Sequence, residues 1–139
     1  MGTIQDKLKV KEGFKVLLLN SPVEQKVLLP DQHKIIIVTK PEKACDFVLL
    51  FVKSCADVKT GIGPVIKSLK EDGVLWIAYP KQSSGIKTDL NRDKGWEPLY
   101  KAGFGPVSQI SIDTTWSALR FRPESKVNRK KGSVILQRK

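Results

Sequence analysis

The chain has 139 residues, 40% of them hydrophobic, enough for one domain with a true core and too apolar for a disordered chain. Its 25 Lys and Arg against 14 Asp and Glu give a net charge of +11. Such a balance attracts nucleic acid, anionic surfaces or anionic metabolites, although a plainly solvated basic surface has the same composition. Residues 124–139 hold six of the Lys and Arg and one Glu, so nearly half of the excess sits in a short tail.

The two cysteines, Cys45 and Cys55, flank one apolar run. Extended residues between them span roughly 30 Å, too far for a disulfide. Reduced thiols fit a cytoplasmic protein. The start of the chain lacks the apolar stretch of a signal peptide. No apolar run approaches the ~20 residues of a membrane span, so no membrane partner is expected. One histidine, His33, leaves no cluster with metal-ligand spacing.

Residues 14–19 read as a buried strand that stops at Asn20-Ser21-Pro22, because Pro22 has no N–H for a ladder. Residues 23–29 have the spacing of a short helix, capped by Ser21 with Pro22 at its first position. Residues 33–38 are a second strand, rich in β-branched side chains. Residues 46–53 and 74–79 are apolar runs without alternation, the signature of strands buried on both faces of a parallel sheet. Between them, Val58, Ile62, Val65, Ile66 and Leu69 form one helical face. Gly61, Gly63 and Pro64 predict a kink or a break in that helix, and Gly73 a left-handed cap at its end.

A polar connection of eleven residues, 82–92, follows Lys81 and exceeds the usual link in a β-α unit. A helix over about 93–102, with its regular part starting nearer Gly95 because Pro98 suits only a first turn, is expected to bury Trp96, Leu99 and Tyr100 and to end at Gly103. Residues 106–112 and 115–121 form a hairpin around Asp113-Thr114. The boundaries are thus one domain over 1–123 and a basic tail over 124–139. The apolar patch at 134–136 has the length of a short edge strand.

Leu8-Lys-Val-Lys-Glu-Gly-Phe-Lys-Val-Leu-Leu-Leu19 resembles the lead-in and first strand of class I S-adenosylmethionine methyltransferases. Cys45-Asp-Phe-Val-Leu49 resembles their fourth strand, Leu69-Lys-Glu-Asp-Gly-Val-Leu-Trp-Ile77 the turn into the fifth, and Leu99-Tyr-Lys-Ala-Gly-Phe104 the last helix before a terminal hairpin. Residues 46–53, 76–81, 86–90, 92–99 and 113–122 are similar to a family of small bacterial proteins of unknown function. These resemblances imply an α/β fold: a reduced Rossmann-like, methyltransferase-like sheet, mostly parallel, with a C-terminal antiparallel hairpin.

The chain also departs from the methyltransferase pattern. That family's first strand leads into a glycine-rich turn that admits the cofactor, and here Asn20-Ser21-Pro22 stands instead. The acidic residue that closes the family's second strand is replaced by Val38-Thr39-Lys40. A strand and a helix are missing before the fourth-strand equivalent. No S-adenosylmethionine or other cofactor is therefore expected, and the resemblance leaves a diverged enzyme as an alternative.

Ligands of parallel sheets bind outside the carboxyl ends of the strands. Asn20, Ser21, Lys53, Tyr79, Lys81, Lys87, Asp89 and Arg92 lie there by sequence, and the cations among them suit phosphate or carboxylate. No Ser-His-Asp set and no convincing pair of carboxylates appears, and Asp89 and Asp93 serve equally as helix caps. The reading is a non-catalytic domain that binds an anionic small molecule or partner. The alternative is nucleic-acid binding, in which Trp116 stacks bases and Arg120, Arg122, Arg129, Lys130 and Lys131 meet phosphates. Trp76 and Trp96 are expected in the core.

Overall fold

The computed structural model describes residues 8, 10–22 and 35–124. Six strands run through it: β1 (Lys15–Leu19), β2 (Ile36–Val38), β3 (Cys45–Phe51), β4 (Leu69–Pro80), β5 (Phe104–Ser111) and β6 (Trp116–Pro123). Helix α1 (Cys55–Ser68) joins β3 to β4, and the short α2 (Glu97–Lys101) precedes β5. The sheet order is β2-β1-β3-β4-β6-β5. The first four strands are parallel and β6 is antiparallel to both its neighbours, so the mostly parallel sheet with a terminal hairpin is as expected.

The absence of alternation in the strand sequences has its cause in burial on both sides. Leu17, Val48, Leu50, Leu75, Ile77 and Phe121 face the layer that holds Val58, Ile62 and Val65 of α1 and Leu99 of α2. Val16, Leu18, Phe47, Leu49, Trp76 and Ala118 face the other way, with Leu8, Val10 and Ile35 among them. Trp76 is 1% exposed, and its indole N–H donates to the Leu8 carbonyl at 2.9 Å.

Three local expectations need correction. Helix α1 runs unbroken through Pro64, which lies on its solvent side. Burial of Val58, Ile62 and Val65 outweighs the proline penalty of about 3 kcal/mol. Gly61 does not break the helix either; a Cβ there would sit 3.1 Å from Leu50 Cδ2, so the glycine allows the helix to approach β3. Gly73 is not a left-handed cap. The helix hands over directly to β4 at Leu69, and the left-handed residue is Asp72, with φ 66°. Cys45 faces Leu69 while Phe47 faces Val74, so residues 70–73 bulge out before the regular ladder begins at Val74. Finally, the regular part of α2 starts at Glu97, later than 93 and two residues beyond Gly95, with Pro98 in its first turn as expected. Gly103, with φ 90°, ends it as expected. The helix expected over 23–29, His33, the tail beyond Glu124 and its 134–136 patch lie outside the described residues.

Candidate functional site

The strand order reverses between β1 and β3, since β2 lies on one side of β1 and every later strand on the other. The crevice outside the carboxyl ends at such a reversal is where open α/β sheets take ligands. Strand β1 ends at Leu19, and Asn20 turns the chain with φ 59°. Asparagine is among the few non-glycine residues that tolerate this left-handed conformation. The turn therefore keeps the reversal without glycine, and the exposed Asn20 side chain stands where a glycine would leave none.

The end of β3 feeds the N-terminus of α1, and the chain supplies its own acceptors there. Ser54 caps the helix through its Oγ, which accepts from Asp57 N–H at 3.2 Å. The Asp57 carboxylate accepts from Lys53 N–H at 2.9 Å. Asp89, arriving from the long connection, accepts from Cys55 N–H at 2.7 Å. That backbone bond is the main reason the Asp89 carboxyl titrates below its ordinary range. Burial, and then the Asp89 hydrogen bond, push the Cys55 thiol up. An external anion thus finds these helix-terminal donors occupied and must rely on side-chain cations.

The long connection forms a 3-10 turn at Gln82–Ser84, then packs inward through Leu90, which is 1% exposed. It divides the carboxyl edge into two clefts. The first, about 520 Å³, is bounded by Lys53, Ser54, Gln82, Lys87, Thr88 and Asp89. The second, about 440 Å³, is bounded by Tyr79, Lys81, Gln82, Arg92, Gln109 and Ser117. The eight residues picked from sequence are therefore not one site. Lys53, Lys87 and Asp89 share the first cleft; Tyr79, Lys81 and Arg92 share the second; Asn20 and Ser21 line neither.

The two clefts differ electrostatically. In the second, Lys81 Nζ donates to Ser111 Oγ at 2.6 Å, and Arg92 Nε lies 3.5 Å from the Asp93 carboxylate. Tyr79 OH accepts from Gln109 Nε2 at 2.9 Å, its ring stands edge-on to Trp96, and burial raises its phenol pKa. In the first, Lys53 and Lys87 are exposed, and neither ammonium joins an ion pair or hydrogen bond with a described residue. Gln82, Thr88 and Gln109 were missed by sequence reasoning. The alternation of the hairpin was the available signal for Gln109, which sits opposite Leu119.

The residues chosen for nucleic acid divide as well. Trp116 is 5% exposed, with its ring edge-on to Phe51 at 5.1 Å. A stacking platform needs an open ring face, so Trp116 is corrected to a packing residue, alongside Trp76 and Trp96. Arg120 and Arg122 are on β6, while Arg129, Lys130 and Lys131 lie outside the described residues. Among the described residues no group of three His, Cys, Asp or Glu side chains could hold a metal, and no helix is long and apolar enough to cross a membrane.

No protein-family model and no curated protein matches the chain, so the resemblance to small bacterial proteins gains no support beyond its residues. Solved structures do match in fold. A TehB-like SAM-dependent methyltransferase from Corynebacterium glutamicum aligns with a TM-score of 0.54 at 12% identity, over 86% of this chain and 85% of that one. A putative type 11 methyltransferase from Sulfolobus solfataricus aligns with a TM-score of 0.52 at 13% identity, over 96% and 94%. The Methanococcus jannaschii fibrillarin pre-rRNA processing protein gives 0.52 at 17% identity over 80% of this chain, which spans 66% of that protein's length.

Proposed function

We propose that this methyltransferase-like Rossmann fold serves as a binding domain for a small anionic ligand, held at the carboxyl edge of the sheet between Lys53 and Lys87. The observation that carries the reading is the pair of exposed ammonium groups, unengaged by any described residue, in one cleft between the carboxyl end of β3 and the connection that follows β4. The hydroxyls of Ser54 and Thr88 support it. Each oxygen accepts a backbone N–H, from Asp57 and from Leu90, which leaves its hydrogen for an outside acceptor. Asp89, held on Cys55, marks the wall where a ligand would present a donor instead.

Thermal shift with a panel of nucleotides, sugar phosphates and dicarboxylates tests this. At least one is expected to raise the melting point of the native chain and to lose that effect in Lys53→Gln/Lys87→Gln. A panel with no stabilising anion, or a variant that responds like the native chain, overturns the reading.

The fold likeness favours a second reading, a diverged methyltransferase. Against it stand the Asn20 side chain at the first turn and Lys40 just beyond the end of β2. Calorimetry with S-adenosylmethionine and its demethylated product separates the two. Neither is expected to bind, and a micromolar Kd for either favours the enzyme.

A further inference from the structure

Strand β6 puts Ser117 directly across from Tyr79 of β4, so the two side chains stand together on the helix-covered side of the sheet. Both line the second cleft of the carboxyl edge, and both are nearly buried, Ser117 at 7% exposed and Tyr79 at 4%. Ser117 Oγ opens onto that cleft and has no hydrogen-bond partner among the described residues. The Tyr79 oxygen already accepts from Gln109 Nε2, so its own proton is what remains to be given. Two sheltered hydroxyls therefore turn unspent donors toward one cavity, where buried polar groups ordinarily have partners.

Arg92 borders the same cavity. Its Nε lies 3.5 Å from the Asp93 carboxylate, and its terminal nitrogens join no hydrogen bond or ion pair with a described residue. Burial raises the Tyr79 pKa, and the Arg92 charge then pulls against it, which puts the guanidinium within electrostatic reach of the phenol. The donors thus number three: one guanidinium and two hydroxyls. A carboxylate has lone pairs for all of them, and its planar fork matches that of arginine. Arg92 and Lys81 against Asp93 leave one net positive charge at the cleft, which balances a monoanion and not a phosphate dianion. Lys81 itself is held on Ser111.

The rest of the ligand is indicated by the adjoining space. A cavity of about 370 Å³ shares Arg92, Asp93 and Gln109 with this cleft and continues along β5. Pro106, Val107 and Leu119 give it apolar walls. Val107 is 36% exposed, and among the described residues only Ile36 is another large apolar side chain left so open. A few convergent polar groups beside an apolar wall are the usual make-up of a small-molecule site.

We propose that the second cleft binds a small monocarboxylic acid, its carboxylate on Arg92, Tyr79 and Ser117 and its apolar body against Pro106, Val107 and Leu119. This site is separate from the cleft of Lys53 and Lys87 and takes a different class of ligand.

The test is calorimetric titration of the full chain with phenylpropionate and isocaproate, each beside the alcohol of the same carbon skeleton. At least one acid is expected to bind and its alcohol to bind at least tenfold more weakly. Arg92→Gln should weaken the acid about tenfold or more, and Ser117→Ala and Tyr79→Phe each about threefold. Should Arg92→Gln fold poorly, Ser117→Ala carries the test, since it removes a single oxygen. Lys53→Gln/Lys87→Gln should bind the acid as the native chain does, which keeps this site distinct from the other cleft. The proposal is overturned if neither acid binds, if Ser117→Ala and the folded Arg92→Gln keep the native Kd, or if the alcohol binds as well as the acid, which would leave only an apolar patch. Tighter binding of phenylphosphate than of either acid would overturn the choice of a monoanion.

Discussion

Asp46 and Asp89 each tie distant parts of the chain together by accepting a backbone N–H, Asp46 within the sheet and Asp89 between the long connection and the start of α1. Asp46 accepts from Lys15 N–H at 2.9 Å, joining β3 to β1, and also pairs with Lys70 at 3.0 Å. The Lys15 bond first, and Lys70 after it, lower the Asp46 pKa, as Cys55 lowers that of Asp89. Both folded values lie below the ordinary 3.8, so the unfolded chain binds more protons as pH drops past that point. Their stabilisation is complete above it and is lost as pH falls through the folded values. The urea midpoint should therefore decline below about pH 4. Asp89→Asn should start lower at neutral pH and show a shallower acid decline; an unchanged decline would mean that this carboxylate does not couple to folding. Gly95 makes a sharper case. It has φ 105°, and a Cβ there would collide with Leu90 Cδ2 and come within 3.0 Å of Cys55 Sγ. Gly95→Ala should cost at least about 2 kcal/mol in a denaturant melt, combining a strained backbone with overpacking.

At the level of elements, the strands were legible because burial on both faces leaves unbroken apolar runs, and α1 because Val58, Ile62 and Val65 keep helical spacing. What the sequence hid were the joins. Gly73 carried a cap signal, yet Asp72 took the left-handed position and the bulge absorbed the surplus residues. The long connection read as polar and open, but Leu90 is buried and Asp89 reaches a partner 34 residues away, a contact that local spacing cannot announce. The division of the basic edge into two clefts was equally illegible, since it depends on where that connection packs. Leu90→Ala should cost about 2–4 kcal/mol. It should also weaken any anion response of the Lys53 cleft, because Asp89 and Thr88 are positioned by the same packing. A variant that keeps both stability and response would show that the connection is held by its polar bonds instead.

For the molecule as a whole, the sheet proceeds from β2 to β3 through the short segment 39–44, where the methyltransferase resemblance implies a further strand and helix. The sheet accordingly stops at a three-residue edge strand in which Ile36 is 60% exposed. Ile36→Thr should change stability by no more than about 0.5 kcal/mol, and a larger loss in a urea melt would mean that Ile36 is covered in solution. The central placement of β1 has a consequence in time. Among the described strands the first in chain order is also an interior one, and it gains its second neighbour only when β3 appears. β3 waits in turn for β4, whose Trp76 closes a bond to Leu8 across 68 positions of sequence. Contacts of such long span form slowly, whereas the β5–β6 hairpin closes locally. In refolding followed by tryptophan fluorescence, the Trp76→Phe variant should lose the late phase. On the ribosome, Val16-Leu-Leu-Leu19 should keep one unpaired edge until the third strand has emerged, which makes the half-made chain a natural client for a chaperone.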